Sequence, residues 1–172
     1  MREKVNLKEY LYPEMDILFV ALNAPDVSNK NEHWFSYNLS FWNVLYKSGL
    51  ITEPIFDKIK GDEKVFGSNA INFQNQIFGV TDLNRGIVQT DSSNIKTTTA
   101  QVKRILKIID KHKVHKLCLM HSKVAIQFEK EWLIVRGEYG KVGKYKDVPI
   151  YEVPFHNASK KDKHKYYNLL IK

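Results

Sequence analysis

Apolar residues in this chain come in short unbroken runs set between stretches of helical or irregular polarity, and that alternation lays out the elements. Residues 16–22 (DILFVAL) are apolar after the first and of strand length, the mark of a strand covered on both faces. Asn23, Pro25 and Asp26 end it. Phe41, Val44, Leu45 and Ser48 then fall at helical spacing, and Gly49 supplies a C-terminal stop. Residues 53–60 and 68–78 read as two short helices, the second closed by Gly79, and 80–83 as a short strand. The clearest helix is 97–113: Val102, Ile105, Leu106 and Ile109 lie at i, i+3, i+4 and i+7, with lysines on the other face. Residues 117–120 predict a third strand, and Ser122 caps a helix running through Phe128. A short extra strand at 132–135 precedes a glycine-bearing stretch, 137–146; a fourth main strand at 148–153 and a closing helix at 160–171 complete the chain. Strands alternating with helices predict an α/β fold: a three-layer α/β/α arrangement with a four-stranded, mainly parallel sheet flanked by helices, in one domain over 1–172.

Charge narrows the picture. The formal net charge is +8 and the isoelectric point about 9.4. Phosphate neutralisation by lysine and arginine releases counterions whatever the base sequence, so a basic domain of this kind points to a nucleic-acid partner. The single Cys118, inside an apolar run, excludes a disulfide framework and any cysteine-ligated cluster. No run approaches the ~20 apolar residues of a membrane span. The start, Met1-Arg2-Glu3-Lys4, lacks the apolar stretch of a signal peptide, so a cytoplasmic protein is expected.

Loops at the carboxyl ends of parallel strands are where an open α/β sheet builds its sites. Two such loops stand out: Asn23-Ala24-Pro25 after the first strand, and His156-Asn157-Ala158-Ser159 after the fourth. The run Ala21-Leu22-Asn23-Ala24-Pro25, the aromatic pair Trp34-Phe35 and Phe41-Trp42-Asn43-Val44-Leu45 resemble the first motif of the uracil-DNA glycosylase superfamily, closest to its mismatch-specific uracil/thymine branch. Gly79-Val80-Thr81-Asp82-Leu83 resembles a short strand of that branch, and the stretch from Leu117 to Ala125 its third strand and following helix. His156 to Ser159 resembles the second motif. The likeness runs in order from about residue 15 to the end of the chain.

The resemblance implies a monofunctional DNA glycosylase removing a deaminated or mismatched base such as uracil or hypoxanthine, with no cofactor, no metal and no lyase lysine. Such chemistry needs a base held outside the helix, charge stabilised on the leaving base, and water delivered to the anomeric carbon. By position, Asn23 orients that water, with Asp26 as an alternative base, and His156 donates a hydrogen bond to the departing base, with Asn157 as the fallback. Trp34 stacks on the extruded base, with Phe35 as competitor and otherwise core. Asp82 stands where an asparagine often reads the base edge; it either faces the base or pairs with Arg85 elsewhere. Ser122 and Lys123, at a helix start, and Ser159 and Lys160, after the second motif, are the expected phosphate contacts.

Three departures pull the other way: Ala21 replaces the usual glycine, Asp82 the usual asparagine, and Lys160-Lys161-Asp162 the apolar wedge expected after the second motif. The missing wedge favours single-stranded or mismatched DNA as partner, and the three together leave room for the alternative, a catalytically weak or inactive DNA-binding protein that retains the fold. The protein is expected to be a monomer. A zinc deaminase would need a Cys-X-X-Cys pair, which one cysteine excludes, and a nucleotide switch would need a glycine-rich phosphate loop, which is absent.

Overall fold

The chain, described by a computed structural model over residues 3–172, enters its sheet through a two-residue strand, β1 (Glu14–Met15), and then β2 (Ile17–Ala21). Residues 1 and 2, which open the expected domain and its polar start, lie outside the described residues. The chain continues through α1 (Asp26–Asn31), α2 (Ser40–Ser48), α3 (Gly61–Val65), β3 (Phe78–Asp82), α4 (Thr99–Lys111), β4 (Lys113–Val114), β5 (Leu117–Leu119), α5 (Ser122–Lys130), β6 (Gly140–Tyr145), β7 (Val148–Glu152) and α6 (Lys163–Asn168). The main sheet has five strands in the order β3-β2-β5-β7-β6, parallel except for β6, which runs antiparallel to β7. The chain passes from β2 to one neighbour, β3, and later returns to the other side of β2 with β5. This reversal opens a crevice at the carboxyl ends of the strands, where open α/β sheets place ligands. β1 and β4 form a separate parallel pair.

Alternation along β2 divides the core. Ile17 and Phe19 pack with Phe41, Trp42, Leu45, Phe66 and Tyr167 on one face. Leu18 and Val20 pack on the other with Val102, Ile105, Ile109, Val124 and Phe128. All of these are buried, which is why strands covered on both faces read as unbroken apolar runs. α4 forms as its periodicity predicts and starts with a reciprocal cap: Thr98 accepts from the Gln101 N–H, and the Gln101 side chain accepts from the Thr98 N–H.

Several elements differ from the sequence reading. The sheet has five strands, not four. The additional one, β6, is drawn from the glycine-bearing stretch, in which Gly143 serves close contact: a Cβ there would lie 2.2 Å from the Leu133 carbonyl oxygen. Residues 132–135 form no strand, only an isolated bridge between Ile134 and Gly143. Residues 53–60 are irregular, because a residue before proline, here Glu53, is driven out of the helical region, and the Asp57 side chain closes a turn on the Ile59 N–H. Residues 68–78 yield only a 3-10 turn at Phe73–Asn75, since Asn72 spends its amide on the carbonyls of Val65 and Gln76. β3 consequently starts at Phe78, and Gly79 lies within it. α1, unforeseen after Pro25, occupies Asp26–Asn31, and the last helix begins at Lys163 rather than 160. No helix among the described residues is long and apolar enough to cross a membrane.

Candidate functional site

The carboxyl ends of β2, β5 and β7 open into a cavity of about 190 Å³. That is below the roughly 300–1,000 Å³ of clefts that take drug-sized ligands, and suits a single ring system. β2 contributes Ala21 and is followed by Leu22 and Asn23; β5 is followed by Met120 and His121; β7 is followed by Phe155, His156 and Asn157. Trp34, Phe35 and Tyr37, from the segment between α1 and α2, form an aromatic wall. Residues more than 130 positions apart in sequence therefore share one small chamber.

Asn23 is fixed through its amide nitrogen, which donates to the Gln89 carbonyl at 2.8 Å and more weakly to Ala24 at 3.2 Å. No donor among the described residues reaches Oδ1, so the carboxamide oxygen is available to a water or ligand. Asp26 is engaged elsewhere: its backbone N–H donates to Thr90 Oγ1, and its carboxylate accepts from the same hydroxyl at 2.8 Å.

The other end of the chamber is a closed ring of hydrogen bonds whose directions follow from one fixed point. The Ser40 N–H donates to Asn38 Oδ1 at 2.9 Å, which turns the Asn38 amide nitrogen toward Asn157 Oδ1 at 3.0 Å. Asn157 Oδ1 can only accept, so the Ser40 hydroxyl at 2.6 Å must donate to it. Ser40 Oγ therefore accepts from His156 Nδ1 at 2.7 Å, leaving Nε2 as acceptor of the Tyr37 hydroxyl at 2.9 Å. Tyr37 in turn accepts from Asn157 Nδ2 at 3.2 Å, which leaves that nitrogen with one N–H to spare. Burial pushes the His156 imidazole down to about 3 and holds the Tyr37 phenol well above its ordinary range, so both are neutral at physiological pH. The N–H that His156 was expected to offer a base is thus given to Ser40, and both ring nitrogens have protein partners.

His121, which the sequence reading passed over as part of a helix start, lines the same cavity. It is His121, not Ser122, that caps α5, with Nδ1 accepting the Lys123 N–H at 3.1 Å. The ring proton of the neutral form therefore sits on Nε2, which has no protein partner among the described residues. Its strand-end position is the same signal that singled out His156.

Trp34 is buried: the Arg85 guanidinium lies 5.9 Å from the ring centre, and Nε1 donates to the Lys8 backbone carbonyl at 2.8 Å. Phe35 also lines the cavity rather than serving only as core. It stacks on Phe41 at 4.0 Å, meets His156 edge-on at 5.3 Å, and holds φ at +53°, a sparsely populated value for a bulky side chain.

Asp82 is placed elsewhere, and the four expected phosphate contacts lie outside the cavity lining. Asp82 is fully buried and does not line the cavity; it pairs with Arg85 at 3.0 Å and reaches the chamber only through Arg85 and Trp34. Burial raises its carboxyl to about 7 against the pull of Arg85, and Oδ1 is without a partner. Lys123 is spent on the carbonyls of Ser92, Ser93 and Ile95, and Ser122 is exposed outside the cavity. Ser159 is exposed, and Lys160 lies over the Tyr139 and Tyr166 rings at 5.7 and 5.4 Å. Among the described residues no three metal-ligating side chains gather. Comparison with protein-family models gives no match, and comparison with curated proteins gives none either.

Proposed function

We propose that the protein is a monofunctional DNA glycosylase that hydrolyses the N-glycosidic bond of a deaminated or mismatched base, uracil or hypoxanthine, as a step of base-excision repair. The observation that carries this reading is Asn23: it lines a ring-sized aromatic chamber, its amide nitrogen is pinned to Gln89, and its oxygen accepts from no donor among the described residues. In the reaction, Asn23 Oδ1 holds a water whose oxygen bonds the anomeric carbon as the base departs with the bonding electron pair. The water's proton balances the charge on the released base. A carboxamide orients water but does not deprotonate it, so the enzyme is slow. Trp34 and Phe35 supply aromatic surface in place of the base's lost stacking neighbours. His156 acts by holding Asn157 and Tyr37 in place at the chamber wall. Core packing on both faces of the sheet supports the three-layer arrangement. The basic surface supports DNA, single-stranded or mismatched, as partner to a cytoplasmic monomer.

A second reading, a binding protein with the chemistry lost, is favoured by one feature: Ala21 puts a Cβ on the cavity wall beside Asn23. One experiment separates the two. The protein is incubated with single- and double-stranded oligonucleotides carrying uracil, hypoxanthine, xanthine or a T·G mismatch, and abasic sites are detected. Base release from any of them supports the enzyme; binding without release from any of them supports the binding protein.

A further inference from the structure

We infer that His121 is the catalytic donor to the leaving base, and that His156 is a positioning residue. This rests on the glycosylase reading and assigns the group that stabilises the departing anion. Two histidines line the chamber, and their hydrogen bonds divide the roles. His156 Nδ1–H donates to Ser40, its Nε2 accepts from Tyr37, and the direction of both bonds is set through Asn38 and Asn157. Freeing an N–H there would require reversing the whole ring, including the Asn157 amide that Asn38 holds. His121 carries no such burden. Its Nδ1 is committed to the Lys123 N–H, which fixes the proton on Nε2 and leaves that donor without a protein partner. The ring is braced edge-on against Phe155 at 5.4 Å, so the donor is preorganised rather than swinging. Burial and the nearby Lys123 charge lower its pKa, so it stays neutral and gives a hydrogen bond without competing for the proton. A fixed neutral donor aimed where charge develops is the arrangement that stabilises an anionic leaving group most effectively.

The test uses His121→Ser, which retains a good helix cap and so keeps α5 while removing the donor. Single-turnover excision is measured with wild type and variant on single-stranded oligonucleotides carrying uracil or 5-fluorouracil, whose anion is the more stable. If the wild type takes only purines, hypoxanthine and xanthine replace that pair. A donor to the leaving base predicts a loss of roughly a hundredfold on the poorer leaving group and a clearly smaller loss on the better one. Equal losses on both, or none, overturn the assignment, since a cap or packing defect is blind to leaving-group chemistry. A wild type that releases no base from any of the four sinks the glycosylase reading itself, and this inference with it.

Discussion

His156 and Asp82 are both buried titratable groups, and they pull stability in opposite directions with pH. His156 is held at about 3 in the folded protein against an ordinary 6.5, so between those values the unfolded chain binds more protons. Its contribution is therefore present above 6.5 and lost as pH falls toward 3. Asp82 is raised from 3.8 to about 7, so the folded state binds more protons in that window, and stability from it is lost as pH rises. Urea unfolding should show the advantage of wild type over His156→Asn shrinking by up to roughly 2 kcal/mol between pH 6.5 and 5. A constant gap would contradict the buried neutral imidazole. Asp82→Asn should cost about 1–3 kcal/mol, because the Arg85 partnership is lost inside the protein. It should leave the preference between uracil and hypoxanthine unaltered, and a changed preference would return Asp82 to the base. At this scale the strand-end rule picked out Asn23 and His156, since each follows an unmistakable apolar run. It did not reach the directions of their hydrogen bonds, which depend on Asn38, Ser40 and Tyr37, polar residues with no periodic signature.

Elements position these side chains with different degrees of legibility. β2 and α4 were plain, one as a continuous apolar run and the other as a stripe with a reciprocal cap. β6 was not, because its KVGKY pattern is half polar and Gly143 serves a close approach to Leu133 and Ile134 that a Cβ would block. The helix expected at 53–60 failed against Pro54 and the Asp57 turn. Lys123 is the most instructive case. At a helix start it reads as a phosphate contact, yet its ammonium closes the loop after β3 by gathering three carbonyls about 30 residues back in the chain. Partners so distant leave no mark on local sequence. Lys123→Met should accordingly speed amide hydrogen exchange in residues 92–95, with α5 itself preserved by the His121 cap. If exchange in the loop is unchanged and only DNA affinity falls, the lysine belongs to the DNA surface instead.

At the scale of the molecule, the reversal of strand order beside β2 brings the first and last motifs of the chain to one chamber, and the sheet holds them there as a rigid frame. The net charge of +8 supplies attraction to a polyanion but no site; the phosphate contacts assigned to Ser122 and Lys123 lie outside the chamber, and one of them is otherwise engaged. The proposed function therefore rests on the chamber, and within it on Asn23. The most direct measurement is single-turnover base release by wild type and Asn23→Ala, run side by side on the substrate the wild type prefers and paired with an affinity measurement on the same oligonucleotide. The account predicts a slow but measurable release by the wild type, a loss of about a hundredfold or more in Asn23→Ala, and nearly equal DNA affinity. Equal release by the two proteins, or tight binding by the wild type with no release at all, would contradict it.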